Sequence, residues 1–401
     1  MRTTIQIIKI FCLLFLSAVQ TNLAQDLSGF ISTEARIFVQ KPLDERQKGS
    51  GLSLVIKPEL YYSWAGGDQS ILLVPFVRID QHDDRRTHWD IRELFWLYYN
   101  YDWELKIGFR QLFWGVTEAQ HLVDIINQTD FVENLDGEQK LGQPMIDFAW
   151  FQNWGTLNFL ILTGFRERTF PGEAGRFRFP LLTNTDKAQY ESDAGQKHID
   201  LAARWSHTLG YFDFGLSHFW GTSREPRFIL NDSNSGEQEL LPVYDIINQT
   251  GLDVQLTTGG WLWKLETISR QSSLGRFYAF TGGFEYTFNN VDNSGIDVGV
   301  LTEYLYDNRD SINFPLAPFK NHIFVGSRLA FNDVQSTVIL AGAIISNETG
   351  SLFIIFEAER RIGESFVLNV ESTIATNITP SELFYGFRKD SNILIELNWF
   401  Y

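Results

Sequence analysis

The feature that most constrains this chain is a rhythm. Stretches of alternating apolar and polar residues recur, and the connections between them are alternately short and long. Eighteen such stretches are read: 27–38, 51–65, 70–80, 88–100, 102–111, 146–152, 155–164, 198–209, 211–221, 243–258, 261–270, 277–288, 295–306, 319–331, 334–345, 350–361, 365–375 and 392–401. Strict alternation sends apolar side chains to one face of a strand and polar ones to the other. The short connections fall at 66–68, 100–101, 153–154, 209–210, 259–260, 289–294, 332–333 and 362–364. A soluble sandwich has no reason to keep this order. An up-and-down barrel that crosses a membrane has tight turns at one end and longer loops at the other. The expected fold is therefore all-β, one closed antiparallel transmembrane β-barrel of about 16–18 strands with both termini at the short-turn end.

The end of the chain fits this reading. Ile393, Ile395, Leu397, Trp399 and Tyr401 share one strand face, and Asn392, Glu396 and Asn398 the other. An unprotected aromatic edge invites aggregation in a soluble sheet, whereas a barrel uses its last strand to close the ring. The ending Trp399, Phe400, Tyr401 resembles the C-terminal insertion signal of Gram-negative outer-membrane proteins. That resemblance implies the barrel-assembly machinery as a partner and the outer membrane as the location.

At the other end, residues 1–24 read as a secretory signal peptide, leaving 25–401 as the barrel. Arg2 and Lys9 form the basic region, the apolar run 10–18 is too short to span a bilayer, and Ala24 is the cleavage point. Cys12 is the single cysteine and lies in that segment, so the exported chain has neither disulfides nor a cysteine metal site. Net charge is −16, and −18 once Arg2 and Lys9 are removed, which excludes nucleic acid as a partner.

Aromatics are 15% of the chain and crowd the ends of the strand stretches: Tyr61, Tyr62 and Trp64; Tyr98, Tyr99, Tyr101 and Trp103; Phe219 and Trp220; Trp399 and Tyr401. Such rings suit the headgroup level, with lipid and lipopolysaccharide as neighbours. Between those ends, Leu252, Val254 and Leu256 alternate with Asp253 and Gln255, and Trp261, Trp263 and Leu265 with Lys264 and Glu266. Val300, Tyr304 and Tyr306 oppose Glu303, and Phe366, Leu368 and Val370 oppose Asn369 and Glu371. The apolar sets would face lipid. The polar sets, with Asp253, Lys264, Glu266, Glu303, Glu371 and Glu396 as candidate lining residues, would face a wet lumen.

Two long connections, 112–145 and 165–197, either fold into the lumen or stand outside as ordered surface loops, because connections of this length without structure are functional or fold back. Within the first, 117–126 fits a short helix. The second concentrates Arg166, Arg168, Arg176 and Arg178 in an acidic protein. Arginine forks suit carboxylate and phosphate, so these residues either form an anion-attracting constriction or pair with lumen carboxylates or with lipopolysaccharide phosphates outside. The seven histidines show no metal-ligand spacing, and neither a nucleophile elbow nor a phosphate-binding loop is present. No catalytic residues, metal or cofactor are expected.

The stretch Ile107-Gly108-Phe109-Arg110-Gln111-Leu112-Phe113-Trp114-Gly115, followed by Asp124-Ile125-Ile126-Asn127-Gln128-Thr129-Asp130, resembles a group of proteobacterial porin-like outer-membrane proteins of poorly assigned function. Members carry Gly-x-Gln-x-x-x-Trp-Gly and then Asp-x-Ile-Asn-Pro-x-Asp. Here Gln128 stands at the usual proline, and an extra residue separates Gly108 from Gln111. The likeness runs on through Phe170-Pro171-Gly172, 251–266 and 284–288. It implies an outer-membrane barrel and supplies no substrate. Three functions are thus in play: a channel for small polar or anionic solutes, a closed binding or structural barrel or outer partner of an export system, and a barrel enzyme such as a lipid hydrolase.

Overall fold

The structure, a computed structural model, describes residues 26–232, 236–310 and 314–401. The signal peptide read at 1–24 lies outside the described residues. In chain order the strands are β1 (Asp26–Phe38), β2 (Ser50–Trp64), β3 (Gln69–Asp80), β4 (His88–Asn100), β5 (Trp103–Arg110), β6 (Gln143–Gln152) and β7 (Gly155–Leu162). Next come β8 (Gln189–Tyr190), β9 (Asp200–Leu209), β10 (Phe212–Thr222), β11 (Arg227–Asp232), β12 (Gln238–Tyr244), β13 (Ile246–Thr258) and β14 (Trp261–Ser272). The last are β15 (Gly275–Phe288), β16 (Asp297–Asp307), β17 (Asn321–Ala330), β18 (Val338–Ser346), β19 (Leu352–Ile362), β20 (Phe366–Thr376) and β21 (Asn392–Phe400).

Eighteen of these form one antiparallel sheet, each strand beside its sequence neighbours. The sheet closes on itself where β21 pairs with β1 over nine residues, from Phe30↔Phe400 to Phe38↔Asn392. Closure satisfies backbone groups that an open edge would leave bare, the condition for a sheet to sit in hydrocarbon. At the short-turn end, Gly210 (φ +63°) and Gly259 (φ +58°) take the left-handed conformation that two-residue hairpins need.

Three differences from the sequence reading concern the connections. The rhythm breaks between β14 and β15, which lengthen until only residues 273–274 join them at the long-loop end. The stretch 243–258 is two strands, because the chain leaves the barrel at Asp245. Finally, β11 and β12 form a hairpin that pairs with β8 in a second, three-stranded sheet. Its members come from two different long connections. No local alternation announces a two-residue strand paired in parallel with a distant partner.

Side-chain faces follow the alternation. Trp263 and Val300 are 43% and 45% exposed on the outside, while their neighbours Glu266 and Glu303 are 0% and 3% exposed within. At the short-turn end the outer face carries contacting rings: Tyr62 on Trp64, Tyr98 on Trp103, and Trp261 on Trp263 and Tyr286. Phe219 does not belong to such a belt. It points inward and is 1% exposed. The lumen itself is not uniformly polar. Inward residues Leu160, Leu162, Phe219, Ile247, Ile268 and Phe277 form one apolar cluster with the 112–145 connection. Leu301, Leu305, Phe324, Leu340 and Phe353 form a second under the connection before β21.

These faces predict unequal effects of one added charge. Val325→Arg places a cation on the outer face midway along β17 and should cost about 2–4 kcal/mol near the bilayer midplane. Gln255→Arg, on the inner face, should leave stability within about 0.5 kcal/mol, the usual range for substitutions facing water. Urea unfolding from liposomes measures both, and equal losses would contradict the assigned faces.

Candidate functional site: a segment across the lumen

The connection between β5 and β6 crosses the inside of the barrel. Its first anchor is Glu266 on β14. Glu266 Oε1 accepts from Val116 N at 2.7 Å, Thr117 N at 3.0 Å and Thr117 Oγ1 at 2.8 Å, and Oε2 accepts from Val123 N at 3.1 Å. Glu303 on β16 accepts from Glu118 N and Ala119 N, both at 2.8 Å. The Glu118 carboxylate in turn meets Arg328 on β17 at 2.8 Å and Lys264 on β14 at 3.4 Å. This segment is not the short helix expected at 117–126. Wall carboxylates take up the N–H groups that helical bonds would otherwise occupy, and a buried N–H needs one partner or the other.

The second anchor lies on the far wall. Asp130 meets Arg92 on β4 at 2.5 Å, and Glu133 meets Arg78 on β3 at 2.6 Å. Arg78 also holds Glu34 of β1 at 2.8 Å, and Arg86 holds the same carboxylate at 2.9 Å. Glu303 and Arg92 sit on strands nine apart in a ring of eighteen, so the segment reaches across a diameter. Between the anchors Trp114, Leu122, Val123, Ile125 and Ile126 pack into the first apolar cluster. Burial would push Asp130 upward, but hydrogen bonds and charge from His88 and Arg92 hold its carboxyl well below the usual range.

The arginines of 165–197 are placed as follows. Arg166 meets Asp90 of β4 at 2.8 Å, Arg176 meets Asp390 at 2.7 Å and Arg178 meets Asp44 at 2.5 Å. Arg168 donates to the Arg224 carbonyl at 2.8 Å and the Gln128 side chain at 3.3 Å. Every one of the four forks is thus engaged with protein oxygen. Of the lining candidates, Asp253 takes a two-bond contact from Arg204 at 2.7 Å, and Lys264, Glu266 and Glu303 hold the crossing segment. Glu371 and Glu396 stand mid-strand on the inner wall of β20 and β21. Trp399 and Phe400 end the closing strand, and Tyr401 N donates to the Gly29 carbonyl at 3.2 Å.

Residues that sequence reading passed over complete the closure. Glu225 gathers Arg270 of β14 at 2.8 Å and Arg309 at 2.7 Å, and Arg224 links Asp200 at 2.8 Å to the Ile126 carbonyl at 3.0 Å. Phe131, Phe170, Phe179, Phe228 and Phe387 come from four different connections and stack in edge and face contacts 5.1–6.5 Å apart. His88, Asp130 and Glu133 approach within 4.8 Å of one another, a spacing that three metal ligands share. Arg92 and Arg78 already neutralise both carboxylates, so this group is an ion-pair cluster.

Comparison with known proteins bears on the fold. No family model and no curated protein matches the sequence. Among solved structures, the chain is similar to Wzi, an outer-membrane protein involved in group 1 capsule assembly in Escherichia coli and described as a carbohydrate-binding β-barrel. Identity is 11%, the match covers 92% of this chain and 84% of that one, and the TM-score is 0.52. An engineered variant of the Rh. blastica porin matches at 10% identity over 94% of this chain and 99% of that one, with a TM-score of 0.46. The fold is a closed antiparallel β-barrel of the kind that Wzi has.

One titration tests the docking of the crossing segment. His121 Nε2 lies 3.1 Å from Glu138, and Nδ1 lies 3.8 Å from Glu266. Burial disfavours the imidazolium, but the contact with Glu138 and the negative charge of Glu138 and Glu266 outweigh it and raise the pKa from 6.5 to about 10. A raised pKa stabilises the docked form fully below the unfolded value, and that stabilisation is lost as pH rises through the folded one. Protease cleavage within residues 112–142 should therefore accelerate between about pH 7 and about pH 10. In His121→Gln the rate should lack this rise.

Proposed function

We propose that this protein is an outer-membrane barrel that works closed, as a binding or structural barrel at the cell surface, rather than as a general diffusion channel. The observation that carries this reading is the crossing segment, fixed at Glu266 and Glu303 on one wall and at Arg78 and Arg92 on the other. A wide barrel lets solute through when its interior holds water. Here apolar packing and buried ion pairs occupy the interior at the long-loop end. The arginines of 165–197 serve closure on this reading. The mechanism needs no chemical step: loops locked over the mouth present a fixed outer surface to a ligand. The capsule-assembly barrel of the same fold, described as binding carbohydrate, makes an extracellular glycan the first ligand class to try. On the same reading the barrel sits in the outer membrane of a Gram-negative cell.

Single-channel recording in planar bilayers tests this. The wild type should give no sustained open steps. Glu266→Ala with Glu303→Ala strips the accepting carboxylates from one wall and should produce discrete openings. Steady porin-sized conductance in the wild type would overturn the closed reading and return Glu371 and Glu396 to the lining of an open pore.

A further inference from the structure

The lumen wall nearer the short-turn end carries oxygen atoms that the closure does not use. Glu396 of β21 faces inward, with Asn369 of β20 and Glu34 of β1 as its Cα partners. Two residues on, Asn398 is partnered by Ser32 of β1. Ser32 is 1% exposed and Asn398 5%. Even so, Ser32 Oγ and Asn398 Oδ1 have no hydrogen-bond partner among the described residues, and the buried Asn369 Oδ1 has none either. Asn398 Nδ2 donates to Glu396 Oε1 at 2.6 Å. That bond fixes which end of the amide is the nitrogen and leaves its oxygen over.

Further carboxylates stand on the adjoining strands. Glu357 of β19 and Glu371 of β20 are direct Cα partners, and like charges facing across two strands repel. On its other side Glu371 is partnered by Leu394, two residues from Glu396. Three nearby arginines are committed to Glu34, and Arg361 of β19 shares the row of Asn398, two strands away across Val367. Arg36 contacts Glu34 at 3.4 Å and donates to Asn134, while Arg78 and Arg86 also bind Glu34.

We propose that Ser32, Asn369, Glu396 and Asn398 form a binding site for a hard divalent cation on the lumen wall, with Ca²⁺ as the fitting ion. One carboxylate, two amide oxygens and a hydroxyl are an all-oxygen set. Ca²⁺ accepts such a mixture with water completing the shell, whereas Mg²⁺ demands a tighter octahedron. Glu357 and Glu371 supply the field that draws the ion in. The site spans the seam between β20, β21 and β1, so a bound ion would tie together the strands that close the ring. It does not depend on whether the barrel works closed.

Titration calorimetry on protein refolded in detergent free of lipopolysaccharide, with CaCl₂ as the probe, tests this. The wild type should take up Ca²⁺ with one saturable site per chain and bind Mg²⁺ more weakly. Ser32→Ala removes one ligand oxygen and should weaken Ca²⁺ roughly tenfold or more. Asn398→Leu should abolish the site, and Asn398→Asp should retain it. Absence of saturable uptake by the wild type overturns the proposal, as does unchanged affinity in Ser32→Ala. If Asn398→Leu fails to form a heat-modifiable barrel, Ser32→Ala, which deletes a single hydroxyl, carries the decision.

Discussion

A ring of eighteen strands encloses more space than its own side chains can fill. Small barrels fill their interiors from the wall, but wider ones leave a lumen that must hold water, a plug or inserted chain. The rest of this molecule answers that constraint. The connections at the short-turn end stay brief, and those at the other end supply the filling. The crossing segment spans the interior, the 165–197 connection packs against it, and the connection before β21 brings Phe387 onto Phe131 and Phe179.

Filling a lumen with irregular chain has a cost that the wall must offset. A loop removed from water carries N–H and C=O groups that need partners. Glu266 and Glu303 supply acceptors for such groups from a regular scaffold, and Arg224 supplies a donor to Ile126 O. Each of these charges would be expensive alone. Removing one member of a buried pair costs about 3–5 kcal/mol, because the other is left unpaired. The networks are therefore interdependent: Glu34 bridges Arg78 and Arg86, and Arg78 passes the constraint to Glu133 on the segment. The arrangement fixes one position for the segment more than it adds net stability.

The barrel was legible in the sequence because its signal is local and repeated. Alternation in 252–256 or 366–371 needs no knowledge of neighbours, and the lipid face imposes it strand after strand. The closure was less legible because its signal is pairing over long separations. Glu266 and Lys264 were read as lining a wet pore, and the alternation does place them inward. Nothing local says that Glu266 will meet Val116 and Thr117 from 150 residues away. The same holds for inward Leu301 and Leu305. They interrupt the polar face of β16, and an apolar residue on that face was the one available hint that part of the lumen is packed. Phe219 was misplaced for a related reason: position at a strand end suggests a belt, but parity sends the ring inward.

The arginines show how composition and geometry part company. Four cations clustered in a chain of net charge −16 invite a field argument. A field depends on charges left unneutralised, and Arg166, Arg176 and Arg178 each face a carboxylate contributed by another part of the chain. Their charge is spent locally, in holding connections to one another and to β4. The excess of acid then has to lie elsewhere, and part of it lies on the adjoining inner faces of β19, β20 and β21, as Glu357, Glu371 and Glu396.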